Sequence, residues 1–206
     1  MAKIRLIGAA QSRAIRVIWM LNELGLAYEH DTIAASDPRL KAPPYSTLNP
    51  NGRIPTLQVD DFTIYESLAI NLYLAQRFPG DASPRGLEEQ ALATQWSCWA
   101  MSDVDPLITI WAINTLIRPE AERDPAAAAD ARQRLERPLQ ALNASLAGRN
   151  WLIADRFTVA DLNVAAVLNR ALNWELETAP NVKPWLLRCW TRDAAIAARR
   201  TRGDKV

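Results

Sequence analysis

The sequence has 206 residues, of which 49% are hydrophobic and 23% are charged, and 24 Lys and Arg nearly balance 23 Asp and Glu. This composition is typical of a folded globular chain and excludes a disordered, collagen-like or disulfide-dense protein. The formal net charge of +1 gives no electrostatic basis for binding nucleic acid or an anionic membrane. We therefore predict neither nucleic-acid nor membrane partners.

Side chains suited to metal or redox chemistry are scarce. The chain holds two cysteines, Cys98 and Cys189, and one histidine, His30. This set forms no CxxC pair, no HExxH zinc site and no complete set of Cys and His ligands. No apolar run reaches the ~18 residues that would span a bilayer, and the N-terminal segment lacks the apolar region of a secretion signal. We predict a metal-free cytoplasmic protein with both cysteines in the core.

The first segments in chain order predict a strand, a helix and a second strand. Residues 3–7 have the short apolar pattern of a strand. Apolar residues recur at helical spacing over residues 12–24, which predicts a helix with one buried face. Gly25 follows, where a left-handed residue would end that helix, and Leu26 is placed to contact its last turn. Residues 28–33 form the second predicted strand.

A β-hairpin and a helix are predicted next. Residues 56–59 and 62–65 are the two strands, and Asp60 and Asp61 occupy the turn. Residues 68–78 then have helical spacing. The order of elements is therefore β-α-β-loop-β-β-α.

The chain changes character after this helix. Residues 79–86 hold two prolines and two glycines, which indicate a linker. Before it, residues 1–78 mix strand and helix patterns, whereas residues 87–206 have almost wholly helical patterns. We predict two domains, 1–78 and 87–206, joined by that linker.

Local signals mark the helices of the second domain. Asp124 before Pro125 is typical of a helix start, with a capping side chain and a proline at the first helical position. Pro138 is expected to kink the helix that follows. Thr158 and Asp161 have the spacing of a capping box, with Asp in place of the usual Glu.

Four segments in this order and spacing resemble the cytosolic glutathione transferase family over essentially the whole chain. They are residues 16–26 (RVIWMLNELGL), 49–57 (NPNGRIPTL), 65–70 (YESLAI) and 157–161 (FTVAD). The resemblance implies an N-terminal thioredoxin-like α/β domain followed by a C-terminal all-helical bundle. It also implies a homodimer with glutathione as co-substrate.

The resemblance assigns five residues to glutathione: Arg53, Ile54, Pro55, Glu66 and Ser67. In the family Pro55 is cis, and the Ile54 backbone could pair with the bound peptide as an added strand does. Ser67, at a helix start, suits the γ-glutamyl carboxylate, and Glu66 suits the ammonium. Arg53 suits the glycyl carboxylate. Purely structural roles stay open: strand entry for Pro55, a helix cap for Ser67 and a solvated charge for Arg53.

Ser12 is the predicted catalytic residue, because it precedes Arg16 by the spacing of the family's serine-type members. A free thiol of pKa ~8.5 is only ~3% ionised at pH 7, and lowering that pKa by two units requires about 2.7 kcal/mol. A hydroxyl hydrogen bond to charged sulfur contributes about 1.5–3 kcal/mol and a helix N-terminus about 0.3–1 kcal/mol. The loop before Ser12 has no Tyr or Cys to serve instead. The alternative is that Ser12 only caps the helix.

The resemblance places a pocket for the electrophile between the domains, along the first helices of the second domain. The candidate lining residues are Trp96, Trp99, Asp103 and Trp111. The spacing of the first three puts them on one helical face. The alternative for each tryptophan is a place in an aromatic core.

The sequence thus predicts a detoxifying glutathione transferase that forms the glutathione thiolate for attack on a small hydrophobic electrophile. Two alternatives stay open. One is a glutathione-dependent isomerase or dehalogenase on the same fold. The other is a non-catalytic module that binds glutathione or another ligand.

Overall fold

The computed structural model describes residues 2–205. Backbone contacts divide the chain into two compact units. The first consists of Met1–Pro84 with Thr191–Val206, and the second is Arg85–Trp190. The predicted domain limits differ from this division at the C-terminus, where residues assigned to the helical domain group with the first unit.

The first unit is built on a mixed sheet. Among the described residues, four strands form one sheet in the order β2-β1-β3-β4. They are β1 (Ile4–Ile7), β2 (Glu29–Asp31), β3 (Thr56–Val59) and β4 (Phe62–Tyr65). β1 and β2 run parallel, and β3 is antiparallel to both β1 and β4. The predicted hairpin is confirmed, with Asp60 in its turn at a φ of 52°.

Helices make up most of the remaining structure. The α-helices within residues 2–205 are α1 (Ala14–Glu23), α2 (Tyr45–Leu48), α3 (Ser67–Arg77), α4 (Gly86–Trp99), α5 (Asp105–Ala112), α6 (Pro125–Arg134), α7 (Glu136–Ser145), α8 (Val159–Val167), α9 (Val182–Trp190) and α10 (Asp193–Arg202). None of the helices in this part of the chain is long and apolar enough to cross a membrane.

Helix α1 makes the parallel crossover from β1 to β2 and is the most buried helix of the first unit. All residues from Ala14 to Leu21 are buried, and each large apolar side chain among them contributes about 1.5–3 kcal/mol. The helix ends as predicted. Gly25 has a φ of 62°; its N–H donates to the Asn22 carbonyl at 3.1 Å, and the Leu26 N–H donates to the Leu21 carbonyl at 3.0 Å. This is a Schellman ending.

The C-terminal helix α10 groups with the first unit because it packs along α1. Arg192, just before α10, forms a two-pronged ion pair with Glu23, with both N···O distances at 2.8 Å. The Glu23 side chain is only 6% exposed and also accepts a hydrogen bond from the Trp19 indole at 2.9 Å. Residues so distant in sequence leave no local pattern that reveals this pairing.

The second unit contains helices with breaks. π-Helical turns at Ala100–Val104 and Ile113–Ile117 flank α5. The expected kink is confirmed, because the helix is interrupted at Leu135 between α6 and α7. Pro138 cannot donate to the carbonyl four residues earlier, and its ring crowds that carbonyl.

The predicted capping box at the start of α8 is confirmed. Thr158 and Asp161 are both fully buried. The Thr158 side chain accepts a hydrogen bond from the backbone of the first turn of α8, and the Asp161 side chain accepts one from the backbone N–H of Thr158. Asp161 also accepts from Leu152 N–H and from the Trp185 indole, each at 2.9 Å. The motif therefore connects three segments of the helical unit.

The two cysteines differ in burial. Cys189 is buried as predicted, but Cys98 is exposed. The prediction for Cys98 is wrong because α4 buries the face that carries Ala93 and Ser97. One residue further along an α-helix, the side chain points away from that face.

An ion pair in the helical unit leads to a pH-dependent expectation. Arg156 donates to both carboxylate oxygens of Glu89, at 2.6 and 3.2 Å, and these hydrogen bonds lower the pKa of Glu89 from its ordinary value of 4.5. A lowered folded-state pKa stabilises the fold at neutral pH, and this contribution is lost as pH falls through that pKa. Glu89→Gln is expected to reduce the free energy of unfolding by about 1 kcal/mol at pH 7 and progressively less in acid.

Urea unfolding between neutral pH and pH 3 measures this difference. Glu88→Gln is the matched control, because Glu88 is exposed on the same turn of α4. A Glu89→Gln effect that stays constant over the whole pH range would contradict the assignment.

Candidate active site

Contacts of Gly8 and of Arg16 link three segments of the first unit. They are the loop between β1 and α1, the loop before β3, and the first turn of α3. Gly8 has a φ of 137°, and a Cβ placed on it would lie 3.0 Å from the Cβ of Ile54 and 3.3 Å from that of Ala14. Arg16 in α1 lies with Nη1 3.4 Å from Oγ of Ser67. Only glycine lets the first two loops approach this closely.

Strand β2 and the residues after it hold the β1–α1 loop. Gly8 N–H donates to the Asp31 carbonyl and Ala9 N–H to the Ile33 carbonyl, both at 2.8 Å. Nε2 of His30 lies 2.8 Å from the Gly8 carbonyl oxygen. Since a carbonyl only accepts, Nε2 carries the proton of this bond. The loop before α1 is therefore fixed from the side of β2.

Ser12 lies half-buried just before α1. Its hydroxyl donates to the Ala9 carbonyl at 2.7 Å and accepts from the Ala14 N–H at 3.1 Å. The second bond satisfies a free N–H of the helix N-terminus, as the alternative capping role requires. The hydroxyl oxygen also lies in the positive end of the helix dipole, which favours a nearby anion. Capping and catalysis are compatible, because the cap uses the oxygen, and the hydroxyl proton can turn from the Ala9 carbonyl to another acceptor.

Asn49 organises the loop that carries Arg53, Ile54 and Pro55, a role that the sequence analysis missed. Its side chain is buried, and its amide donates to the Arg53 carbonyl at 2.8 Å and to Oγ1 of Thr56 at 3.2 Å. Its carbonyl oxygen accepts from the backbone of Asn51 at 3.1 Å. The signal was the Asn-Pro-Asn-Gly run, because Asn side chains bind the backbone two residues ahead in turns.

The candidate residues of this loop differ in exposure. The Ile54–Pro55 peptide bond is cis, and Pro55 is buried. Ile54 packs against a small buried cluster that includes Ile7, whereas Arg53 is exposed. A Cβ placed on Gly52 would lie 3.3 Å from Cγ of Lys41. A second cationic side chain therefore lies beside the loop of Arg53.

Glu66 and Ser67 stand at the start of α3. Glu66 is exposed, occupies the N-cap position, and has a φ of 72°. A non-glycine residue in that region costs about 1–3 kcal/mol and commonly marks a functional site. Ser67 is 3% exposed and lies next to Arg16, which is 6% exposed. A cation beside a helix N-terminus makes this end of α3 a suitable site for a carboxylate.

The four aromatic and acidic candidates of the helical unit do not form one group. Trp96 and Trp99 contact each other edge to face, with ring centroids 5.1 Å apart. Trp99 and Asp103 line one cleft of ≈ 890 Å³, whereas Trp96 lines another of ≈ 410 Å³. The π-helical turn begins directly after Trp99 and shifts Asp103 around the helix axis relative to Trp96.

Trp111 takes a different place from the other three. Its ring packs edge to face on Trp174, with centroids 4.7 Å apart, and Arg132 lies over the Trp174 ring at 4.4 Å. Within the described residues, no three His, Cys, Asp or Glu side chains are grouped so that they could hold a metal ion.

Comparison with known proteins identifies the family of the chain. The model of the glutathione S-transferase N-terminal domain matches residues 12–77. The model of the glutathione S-transferase C-terminal domain matches residues 104–193. Glutathione S-transferase 3 of Zea mays is 32% identical over 171 residues, which cover 80% of this chain and 77% of that protein.

Solved structures resemble the whole described chain. The theta class glutathione S-transferase of Xanthomonas axonopodis pv. citri, with glutathione bound, has a TM-score of 0.88 at 28% identity and covers 100% of this chain and 99% of its own. Ure2p5 from Phanerochaete chrysosporium, cocrystallised with 1-(S-glutathionyl)-2,4-dinitrobenzene, has a TM-score of 0.86 at 26% identity. The match covers 98% of this chain and 96% of that one. Both family models match, as does a relative that is more than 30% identical over most of the chain, and the chain belongs to the glutathione S-transferase family.

Proposed function

We propose that this glutathione transferase activates the thiol of glutathione with the hydroxyl of Ser12 and directs the thiolate at a small hydrophobic electrophile. The observation that carries the proposal is the meeting of three segments in one unit. The loop of Ser12 contacts Ile54 through Gly8, and Arg16 of α1 reaches Ser67 at the start of α3. A peptide with a carboxylate and a thiol can use all three.

Glutathione binding follows from the groups at these segments. The Ser67 N–H and hydroxyl donate hydrogen bonds to the γ-glutamyl carboxylate, which lies in the field of Arg16 and the α3 N-terminus. The exposed Glu66 carboxylate forms an ion pair with the ammonium group of the γ-glutamyl end. The backbone of Ile54 pairs with the cysteinyl peptide group. Arg53 binds the glycyl carboxylate.

The chemical step needs one change of hydrogen bond. The Ser12 hydroxyl, which donates to the Ala9 carbonyl, turns to donate to the sulfur. The thiol proton leaves to water, and the thiolate is held by the hydroxyl and by the helix dipole. The sulfur lone pair then forms the C–S bond as the leaving group departs with its own electron pair.

For the electrophile, we propose contacts with the helical unit. Trp99 and Asp103 are the candidates that share a cleft, and Trp96 lies against Trp99. Trp111 is assigned to the aromatic stack with Trp174. The family assignment does not favour the isomerase, dehalogenase or non-catalytic alternatives. Resemblance to the family supports our further proposal of a homodimer that acts in the cytoplasm, and sedimentation velocity tests its size.

Titration with glutathione tests the proposed function directly. Calorimetry measures binding, and the ultraviolet absorbance of the thiolate on the same sample gives the thiol pKa. We expect binding with a thiol pKa well below its free value of ~8.5. Binding with an unshifted pKa would indicate a carrier, and absence of binding at millimolar glutathione would contradict the assigned site.

A further inference from the structure

Helices α1 and α10 lie antiparallel. A side-chain amide forms a hydrogen bond between them at each end, one from α1 and one from the loop before it. At one end, Nδ2 of Asn22 donates to the carbonyl of Ala194 at 3.2 Å. At the other, Nε2 of Gln11 donates to the carbonyl of Arg202 at 3.1 Å. The two bonds have the same chemistry. Only the second lies beside Ser12, because Gln11 is its neighbour in sequence.

The last turn of α10 presents that carbonyl in a fixed position. Gly203 has a φ of 93°, its N–H donates to the Arg200 carbonyl, and the Asp204 N–H donates to the Arg199 carbonyl, both at 3.0 Å. This is a Schellman ending. Asp204 is further held by Nε of Arg202 at 2.8 Å. The Arg202 carbonyl that accepts from Gln11 therefore belongs to a turn held by several hydrogen bonds.

The contact restrains the loop that carries Ser12. Backbone hydrogen bonds from Gly8 and Ala9 to the carbonyls of Asp31 and Ile33 hold the start of this loop. The Gln11 side chain adds a bond to the end of α10 directly before Ser12. A hydroxyl held in one place can keep a hydrogen bond to charged sulfur at less cost in conformational entropy.

We propose that Gln11 is a positioning residue through which the C-terminal helix α10 orients Ser12 and lowers the pKa of the bound thiol. The inference rests on the proposed function, since it concerns the same site. It extends that function to a segment far along the sequence. The C-terminal turn at Arg202 thereby becomes part of the thiol-activating structure.

Two matched variants test the proposal in the full-length protein. Gln11→Met and Asn22→Leu each preserve the approximate size of the side chain and remove its donor. Conjugation of glutathione to 1-chloro-2,4-dinitrobenzene is followed against pH, together with thermal unfolding. We expect Gln11→Met to lower kcat/KM about three- to tenfold at pH 6.5, within the range of a lost neutral hydrogen bond, and to move the acid limb of the profile to higher pH.

Asn22→Leu is expected to lower the melting temperature at least as much as Gln11→Met, because the Asn22 bond is part-buried and the Gln11 bond is exposed, while leaving the pH profile unchanged. The proposal is overturned if Gln11→Met has the wild-type profile, or if Asn22→Leu displaces the profile equally. Measuring Ser12→Ala in the same series distinguishes a failure of the Gln11 proposal from a failure of the proposed function. A wild-type profile for Gln11→Met with an impaired Ser12→Ala overturns the role of Gln11 alone. A fully active Ser12→Ala overturns the proposed activation by Ser12 and this inference with it.

Discussion

Replacing Ser12 with alanine is expected to lower kcat for conjugation by about 10- to 100-fold, while the dissociation constant of glutathione changes less than about threefold. The change removes the hydroxyl donor to the charged sulfur, which contributes about 1.5–3 kcal/mol. The contacts of the γ-glutamyl and glycyl ends lie on other segments. The pKa of the bound thiol is therefore expected to rise toward its free value.

Stopped-flow conjugation and thiolate absorbance measure both quantities on one preparation. Ser12→Thr is the matched control, because it keeps a hydroxyl at the same position and should retain most of the activity. The alanine also removes the hydrogen bond from Ala14 N–H, so the melting temperature is measured alongside. An alanine variant with wild-type kcat and thiol pKa would show that another group activates the thiol.

Asp161→Ala is expected to cause the largest loss of stability, about 3–5 kcal/mol. The fully buried carboxylate accepts four hydrogen bonds: from the backbone and hydroxyl of Thr158, from the backbone of Leu152 and from the Trp185 indole. A buried donor left without its acceptor costs about 1–3 kcal/mol. Burial raises the pKa of Asp161, and the hydrogen bonds from Trp185, Leu152 and Thr158 oppose that rise.

Chemical unfolding measures this loss. For a chain of this length we expect the melting temperature to fall by about 2–4 °C for each kcal/mol. Asp124→Ala is the control, because Asp124 also caps a helix, accepting from Ala127 N–H at 3.0 Å, but is exposed. A surface cap is worth about 1 kcal/mol. Equal losses for the two variants would refute the importance of the buried network.

Local signals in the sequence predicted the features that depend on neighbouring residues. The Schellman ending at Gly25, the turn at Asp60, the break caused by Pro138 and the capping box at Thr158 all agree with the structure. Each is decided within about one helical turn, by backbone freedom, a missing N–H or a short side chain that reaches its own backbone. The transferase fold and the co-substrate followed from four such segments taken together, and the family match confirms them.

The network around Asn49 was not predicted from the sequence, although a local signal for it was present. The Asn-Pro-Asn-Gly run indicates a turn. It does not reveal that the buried Asn49 amide donates hydrogen bonds to both Arg53 and Thr56. The tertiary structure also divides the predicted group: Trp96 contacts Trp99, but it lines a different cleft from the one that Trp99 and Asp103 share. A π-helical turn changes the spacing on which that prediction depended.

The sequence by itself determined the order of elements, their caps and the residue types of the candidate site, because these depend on short stretches of chain. The tertiary structure decided which distant segments meet. It placed α10 on α1 through Arg192 and Glu23, brought Gln11 to Arg202, and left Cys98 exposed. Such contacts depend on which faces of the packed elements bury their apolar surface together. That choice is made between segments as far apart as the two ends of the chain.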